Sequence, residues 1–416
     1  MLKIITQCRI CHNKNLTPIF SLGEQALTGV FPKRIDQKVT SGPVDLVKCD
    51  ATTGCGLVQL SQSYDLSEMY GLNYGYRSGL NQSMVNHLHS KVKSILDLGC
   101  LQPGDVVIDI GSNDATTLKA YPIDMYELIG VDPTGIKFKD YYPENIQLIP
   151  DFFSAKAVSS FLGDKKVKVI TSFSMFYDLE DPVQFAREIA ETIDENGIWV
   201  FEQSYLPTML KTNSFDTVCH EHLEFYSMRQ INWILDAVDM RAIDVEFNDI
   251  NGGSFSITAA KKTSHLPVNY EKLSEIEKNE SAIRLNGLDV YRDFVNRVEK
   301  VGKELMTFLV QAKSEGKRVC GLGASTKGNV LLQYFGIDSN LIESVAEVNS
   351  DKFGCFTPGT LIPMIDEKEV LKSRPDYLLV LPWHFRNFFL NLPALKGMTL
   401  VFPLPKLELV HIPDGS

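Results

Sequence analysis

Residues Cys219 to Ser227 read CHEHLEFYS, which crowds two imidazoles, two carboxylates and a phenol into nine positions. Groups of this kind hold or move protons, or bind a metal. His220 and His222 are two residues apart, whereas two imidazoles sharing a zinc on one helical face need the i, i+4 spacing. A helical zinc protease site is therefore excluded. In an extended or turning segment the two imidazoles face one side and Glu221 the other, which leaves a candidate acid–base site.

Metal chemistry is written elsewhere in the chain. Of the eight cysteines, Cys8, Cys11, Cys49 and Cys55 lie in the first 55 residues, while Cys100, Cys219, Cys320 and Cys355 are scattered. CRIC offers two thiolates to one ion as a C-x2-C knuckle, and CDATTGC brings a second pair from a turn rich in Thr and Gly. The expectation is a structural tetrahedral zinc on these sulfurs, with His12 as a substitute ligand. Four protein ligands leave no open position, so this metal holds the module together and catalyses nothing.

Two turns could hold nucleotides. In VVIDIGSNDATTL only Gly111 stands where a dinucleotide fold has three glycines. Those glycines let backbone approach a pyrophosphate, so their absence points to a ligand without one. S-adenosylmethionine meets that condition. Asp109, Gly111, Asn113 and the turn backbone would meet its methionine end, Asp132 its ribose, and Asp151 and Phe152 its adenine. The second turn, GLGASTKGN, places Ser325, Thr326 and Lys327 at a helix start, where N–H groups and a lysine suit a diphosphate. A nucleoside diphosphate sugar fits there, with Trp383 and His384 completing the pocket after a later strand. Tyr177 and Asp178, in SMFYDLED, follow a buried strand and are candidates to line the pocket of the H-E-H segment.

The elements that must position these groups divide the chain in three. Residues 1–85 contain the cysteines and a loop, YGLNYGYRSGLN, too rich in Gly and Asn for regular structure. Residues 86–262 alternate strand and helix: VVIDI, ELIGVDP, VKVITSF and GIWVFEQ are buried strands, and DPVQFAREIAETI is a helix with Asp181 as cap and Pro182 at its first position. That pattern is a doubly wound α/β sheet. Residues 263–416 begin with one long helix or a helix pair over about 270–316, then return to α/β alternation at KRVCGLGAST, IESVAEVN and PDYLLVLPW, a smaller Rossmann-like unit.

Composition sets outer limits. The 416 residues are 44% hydrophobic and 22% charged, enough to bury real cores. A net charge of −11 disfavours nucleic acid as a partner. No apolar run reaches the ~20 residues of a membrane span or forms a signal peptide at the N-terminus. A cytoplasmic enzyme is expected, with a monomer compatible with the sequence and the oligomeric state open.

The chain resembles the class I S-adenosylmethionine-dependent sugar C-methyltransferases, whose archetypes methylate C-3 of nucleotide-linked 4-keto-deoxysugars. The resemblance runs from CRICH and CGLVQL through YRSGLN, DIGSNDATTL, SMFYDLEDP and CHEHLEFYS to GLGASTKGN, FTPGTLIP and LPWHF. One departure is Ala115, where the family motif has glycine. The resemblance implies a class I methyltransferase fold in the centre, and a Glu–His pair over the sugar that corresponds to Glu221 and His222. His222 is then the general base, oriented by a carboxylate for which Glu221 is the first candidate, and His220 or a tyrosine donates to the C-4 oxygen. Tyr76 enters the site from the loop after the zinc module, and Glu347 and Asn349 meet the ribose of the substrate nucleotide. Two rivals compete with this reading: an NAD-dependent 4-ketosugar reductase or epimerase using GLGAST, and a non-catalytic zinc-stapled binding protein. The first lacks a Y-x-x-x-K pair, and the second leaves Asp109, Asp132 and H-E-H without a purpose.

Overall fold

The structure, a computed structural model, describes residues 2–64 and 77–414, so Tyr76 lies outside the described residues. The central sheet has seven strands in the order Ile146–Ile149, Glu127–Val131, Val106–Ile110, Val167–Phe173, Ile193–Ser204, Ser254–Lys261, Met240–Asn248. The first five are parallel; Ser254–Lys261 is antiparallel to both of its neighbours. Val106–Ile110 is buried at every position, as a strand covered on both faces must be, which explains its unbroken apolar run around Asp109. Strand order reverses beside it, between Val106–Ile110 and Val167–Phe173, and the crevice at their carboxyl ends is where open α/β sheets bind ligands.

The N-terminal part has more regular structure than its cysteines suggest. Strands Leu16–Ala26, Ser41–Cys49 and Val58–Leu60 form an antiparallel sheet whose fourth strand, Glu224–Phe225, comes from the central domain. CHEHLEFYS is thus stitched between the two: Leu60 N–H donates to Leu223 O at 2.8 Å, and Leu223 N–H to Tyr177 O at 2.8 Å.

The bridge is a pair of helices, Tyr270–Ile283 and Asp289–Ser314, broken at Arg284, whose φ of 60° cannot continue a helix. The C-terminal sheet has six strands in the order Met364–Asp366, Val345–Glu347, Val319–Leu322, Tyr377–Val380, Thr399–Phe402, Glu408–His411, with the last antiparallel. A single apolar cluster joins all three parts, from Phe20 and Val58 through Leu206 and Phe294 to Leu331 and Leu379. Phe20 lies edge-on to Phe294 at 5.8 Å and to Tyr334 at 5.6 Å, and burying such a ring contributes about 1.5–3 kcal/mol. Among the described residues no helix is long and apolar enough to cross a membrane.

Candidate active site

The Sγ atoms of Cys8, Cys11, Cys49 and Cys55 lie within 4.8 Å of one another, with Cys8–Cys55 at 3.5 Å and Cys11–Cys49 at 3.6 Å. A tetrahedron with Zn–S bonds of about 2.3 Å has sulfur edges of about 3.8 Å, so the donor set fits zinc. His12 is not part of it; its Nδ1 faces Gln7 Nε2 at 3.3 Å. Hydrogen bonds from Cys55 and Cys8 pull the Cys49 thiol down to about 2, and bonding to Cys49 pushes Cys8 up to about 12. The second cysteine turn is also held from outside: Arg229 donates to Cys55 O, Ala51 O and Gly54 O at 3.1, 2.9 and 3.2 Å, and Gln230 to Cys55 O at 2.8 Å. Both residues sit at the start of helix Met228–Asp236, directly after the H-E-H segment.

At the crevice, the turn after Val106–Ile110 has left-handed backbone at Gly111, Asn113 and Ala115, with φ of 72°, 51° and 61°. At Ala115 this conformation costs roughly 1 kcal/mol that a glycine avoids. Asp132 holds the turn: one carboxylate oxygen accepts from Asn113 N–H at 2.8 Å, and the other from Thr134 N–H and hydroxyl at 2.6 Å each. Asp109 faces inward. It accepts from the Thr171 hydroxyl at 2.5 Å, and burial pushes its carboxyl up to about 7. This bond ties the first strand to its neighbour under the turn. Ser78 N–H donates to Asn113 Oδ1 at 3.0 Å and Gly79 N–H to Asp114 Oδ2 at 3.1 Å, so the segment at Ser78 and Gly79 lies against the turn. At the far lip, Asp151 accepts from the N–H of Phe152, whose ring is 55% exposed.

The H-E-H segment is a turn between Cys219 and His222, and its two imidazoles part company. His220 is completely buried against the N-terminal sheet, edge-on to Tyr64 at 4.5 Å and 3.4 Å from Gly42 O. Its Nδ1 is buried without a partner. His222 is partly exposed, lies edge-on to the Tyr177 ring at 4.5 Å, and has Nδ1 2.6 Å from Thr217 O. A carbonyl only accepts, so Nδ1 carries the proton and Nε2 keeps a free lone pair. The orienting group is thus the Thr217 carbonyl, which corrects the expectation of the Glu221 carboxylate. Burial brings His222 down to about 4 and so keeps it neutral. Glu221 turns toward Cys219 and Thr28, burial pushes its carboxyl upward, and Oε2 is buried without a partner.

The C-terminal domain meets this segment through helix Thr326–Phe335. Ser325 caps that helix by accepting from Gly328 N–H at 3.0 Å. Lys327 does not point to the helix start, as a diphosphate ligand would need; it is buried, donates to Asn251 O and faces Asp216. Trp383 donates its indole N–H to Asp216 Oδ2 at 2.6 Å, and His384 is half-buried beside Lys327 with its Nδ1 buried and unpartnered. Further along, Asn329 donates to Thr28 O at 2.8 Å and keeps Oδ1 unpartnered. Glu347 accepts from Val348 and Asn349 N–H at 2.8 and 2.9 Å and pairs with Lys352 at 3.2 Å, while Asn349 accepts from Asp351 N–H at 3.1 Å. Glu221, Asn329, Asp216 and His384 thus leave buried polar atoms unsatisfied where the three parts meet, and native folds tolerate few of these unless a ligand or water completes them.

Asp216, Thr217, Thr28, Asn251 and Asn329 were missed by sequence reasoning. Thr217 acts through its carbonyl, which side-chain identity cannot signal.

The seven-stranded sheet and its crevice define a class I methyltransferase domain, here flanked by a four-cysteine module and a second α/β unit. Residues 84–245 match the model of a methyltransferase domain, residues 8–70 that of a zinc binding domain, and residues 249–405 that of a C-methyltransferase C-terminal domain. The chain belongs to the C-methyltransferases built from these three domains, and it is an S-adenosylmethionine-dependent enzyme of that family. Both rival readings, the reductase and the scaffold, give way to this membership. The chain is 25% identical to C-methyltransferase NovU of Streptomyces niveus over 92% of its own length and 90% of the relative's. Solved structures similar to it include an S-adenosylmethionine-dependent methyltransferase from Clostridium acetobutylicum, at 10% identity over 42% of this chain and 90% of that one, with a TM-score of 0.32. The plantazolicin methyltransferase BpumL in complex with SAH is similar at 12% identity over 42% of this chain and 82% of that one, with a TM-score of 0.33.

Proposed function

We propose that the enzyme methylates C-3 of a nucleoside-diphosphate-linked 4-keto-deoxyhexose, with His222 as the base that removes the C-3 proton. The observation that carries this reading is the His222 tautomer: Nδ1–H is committed to Thr217 O, and the lone pair on Nε2 is left for a proton. As the proton moves to Nε2, its electron pair spreads from C-3 onto the C-4 oxygen. Glu221, whose burial favours the neutral acid, has an unpartnered oxygen suited to donate to that oxygen, as a protonated carboxyl can in an apolar site. Tyr76 is a second candidate donor. S-adenosylmethionine, when bound, would supply an electrophilic methyl to the carbanion pair at C-3, with the thioether of its demethylated form as the leaving group.

The cofactor is assigned to the crevice beside Gly111, with Asn113 and Asp132 at the turn and Asp151 and Phe152 at the lip. The substrate nucleotide is assigned to the C-terminal unit beside Ser325, Thr326, Glu347 and Asn349, and its sugar to the space bounded by Tyr177, Asp178, Glu221 and His222. A division at residues 1–85, 86–262 and 263–416 suits this sharing of roles. The test is a panel of thymidine, cytidine and guanosine diphosphate 4-keto sugars incubated with enzyme and cofactor. A mass gain of one methyl on C-3 of one of them supports the reading, and methylation at another carbon or of no keto sugar overturns it.

A further inference from the structure

The one-turn helix Phe215–Thr217 connects two parts of the molecule through consecutive residues. Its first residue, Phe215, packs on the Tyr334 and Phe335 rings of the C-terminal domain at 5.2 Å each. Next, Asp216 has no exposed surface, and its Oδ2 accepts from the Trp383 indole N–H at 2.6 Å. The Lys327 ammonium and the Ser214 hydroxyl are the other polar groups facing it. Trp383 stands just after the C-terminal strand Tyr377–Val380. Finally, the Thr217 carbonyl accepts from His222 Nδ1–H at 2.6 Å. One side chain is therefore fixed by the C-terminal domain, and the adjoining carbonyl fixes the imidazole. Burying a carboxyl is costly unless its bonds are put to use, and here the bond sets the pitch of the turn.

We propose that Asp216 is a positioning residue for the reaction: by accepting from Trp383 it fixes the Phe215–Thr217 turn, and through Thr217 it aims the His222 imidazole. This rests on His222 being the base and adds that the domain assigned to the nucleotide also sets the base in place. Lys327 is the charged group that bears on His222, and the Tyr177 ring lies edge-on to it.

Trp383→Phe keeps an aromatic ring while removing the donor and part of the indole, Asp216→Ala removes the acceptor, and Asp216→Asn keeps an acceptor for Trp383. The full-length variants are assayed per cofactor-binding site for turnover, KM and C-3 hydrogen exchange in heavy water. Trp383→Phe and Asp216→Ala should lose about 10- to 100-fold in turnover and exchange alike, the usual cost of losing a supporting contact, with KM within about threefold. Their acid limb should fall, because the Thr217 bond that is loosened raises His222, and a loss of folded enzyme would not move the limb. Asp216→Asn should recover to within roughly fivefold of the parent. Parental turnover and an unmoved limb in Trp383→Phe, or failure of Asp216→Asn to recover, overturns the proposal. Parental exchange in His222→Asn instead overturns the base assignment on which it rests.

Discussion

Thr217 and His222, five residues apart, are joined by a 2.6 Å hydrogen bond from the ring Nδ1 to the carbonyl oxygen. The bond closes the Cys219–His222 turn from the inside and decides which ring nitrogen is free. A backbone carbonyl stays an acceptor at every pH, so the tautomer does not depend on the ionisation of a neighbouring acid.

The pH dependence follows from burial. His222 and His220 are both lowered to about 4, so the folded state resists their protonation. Their contribution to stability is present above their unfolded value near 6.5 and is lost as pH falls through about 4. Melting temperature should therefore decline from about pH 6.5 downward, and His220→Phe should flatten that decline. Lys327→Met removes a positive charge that lowers His222, so the acid limb of kcat/KM should rise by roughly one unit.

Glu221 should act as a donor, not as the support of His222. Glu221→Gln, which retains N–H donors, should lose less than about tenfold in turnover, while Glu221→Ala should lose on the order of 10²–10³-fold, as for an oxyanion donor. Steady-state kinetics of the two variants decides; equal losses would remove the donor role.

The zinc cluster and the segment after H-E-H should fail together. Cys11→Ser should lose its metal and express poorly, because metal-binding energy is folding energy here. Arg229→Ala removes charged donors from Cys55 O, Ala51 O and Gly54 O, and should cost about 1.5–3 kcal/mol of stability and speed zinc release to a chelator. Atomic absorption and chelator kinetics measure both.

Asp132 accepts from Asn113 and Thr134 N–H, so it holds the turn after Val106–Ile110 at the crevice assigned to the cofactor. Asp132→Ala should weaken S-adenosylmethionine binding by about 1.5–3 kcal/mol in calorimetry while leaving the zinc content intact. Undiminished affinity would move the ribose contact elsewhere.

Parallel strands, the turn after Val106–Ile110 and the cysteine set were legible because each rests on a local pattern: unbroken apolar runs, a glycine at positive φ, paired thiols. The helical bridge was legible for the same reason, and its break at Arg284 decides between the one helix and the pair that the sequence allowed. The N-terminal sheet was not, since its fourth strand, Glu224–Phe225, comes from more than 160 residues away and no local period announces it. Nor was the hairpin of Met240–Asn248 with Ser254–Lys261, whose pairing turns a parallel sheet antiparallel at one edge. His222 could be singled out by residue type, but its orienting partner is a carbonyl that any residue at 217 would supply. Lys327 was read as a helix-start cation, and the approach of the Asn251 loop and Asp216 turned it inward.

The most direct test of the account is proton exchange at C-3 of the keto sugar in heavy water, with S-adenosylhomocysteine in place of the methyl donor. The parent enzyme should wash deuterium into C-3, because proton removal can run without methyl transfer. His222→Asn should lose exchange and turnover together by on the order of 10²–10⁴-fold, with substrate and cofactor affinities nearly unchanged. Exchange at the parental rate in His222→Asn would contradict the assignment and return the base to Glu221 or Tyr76.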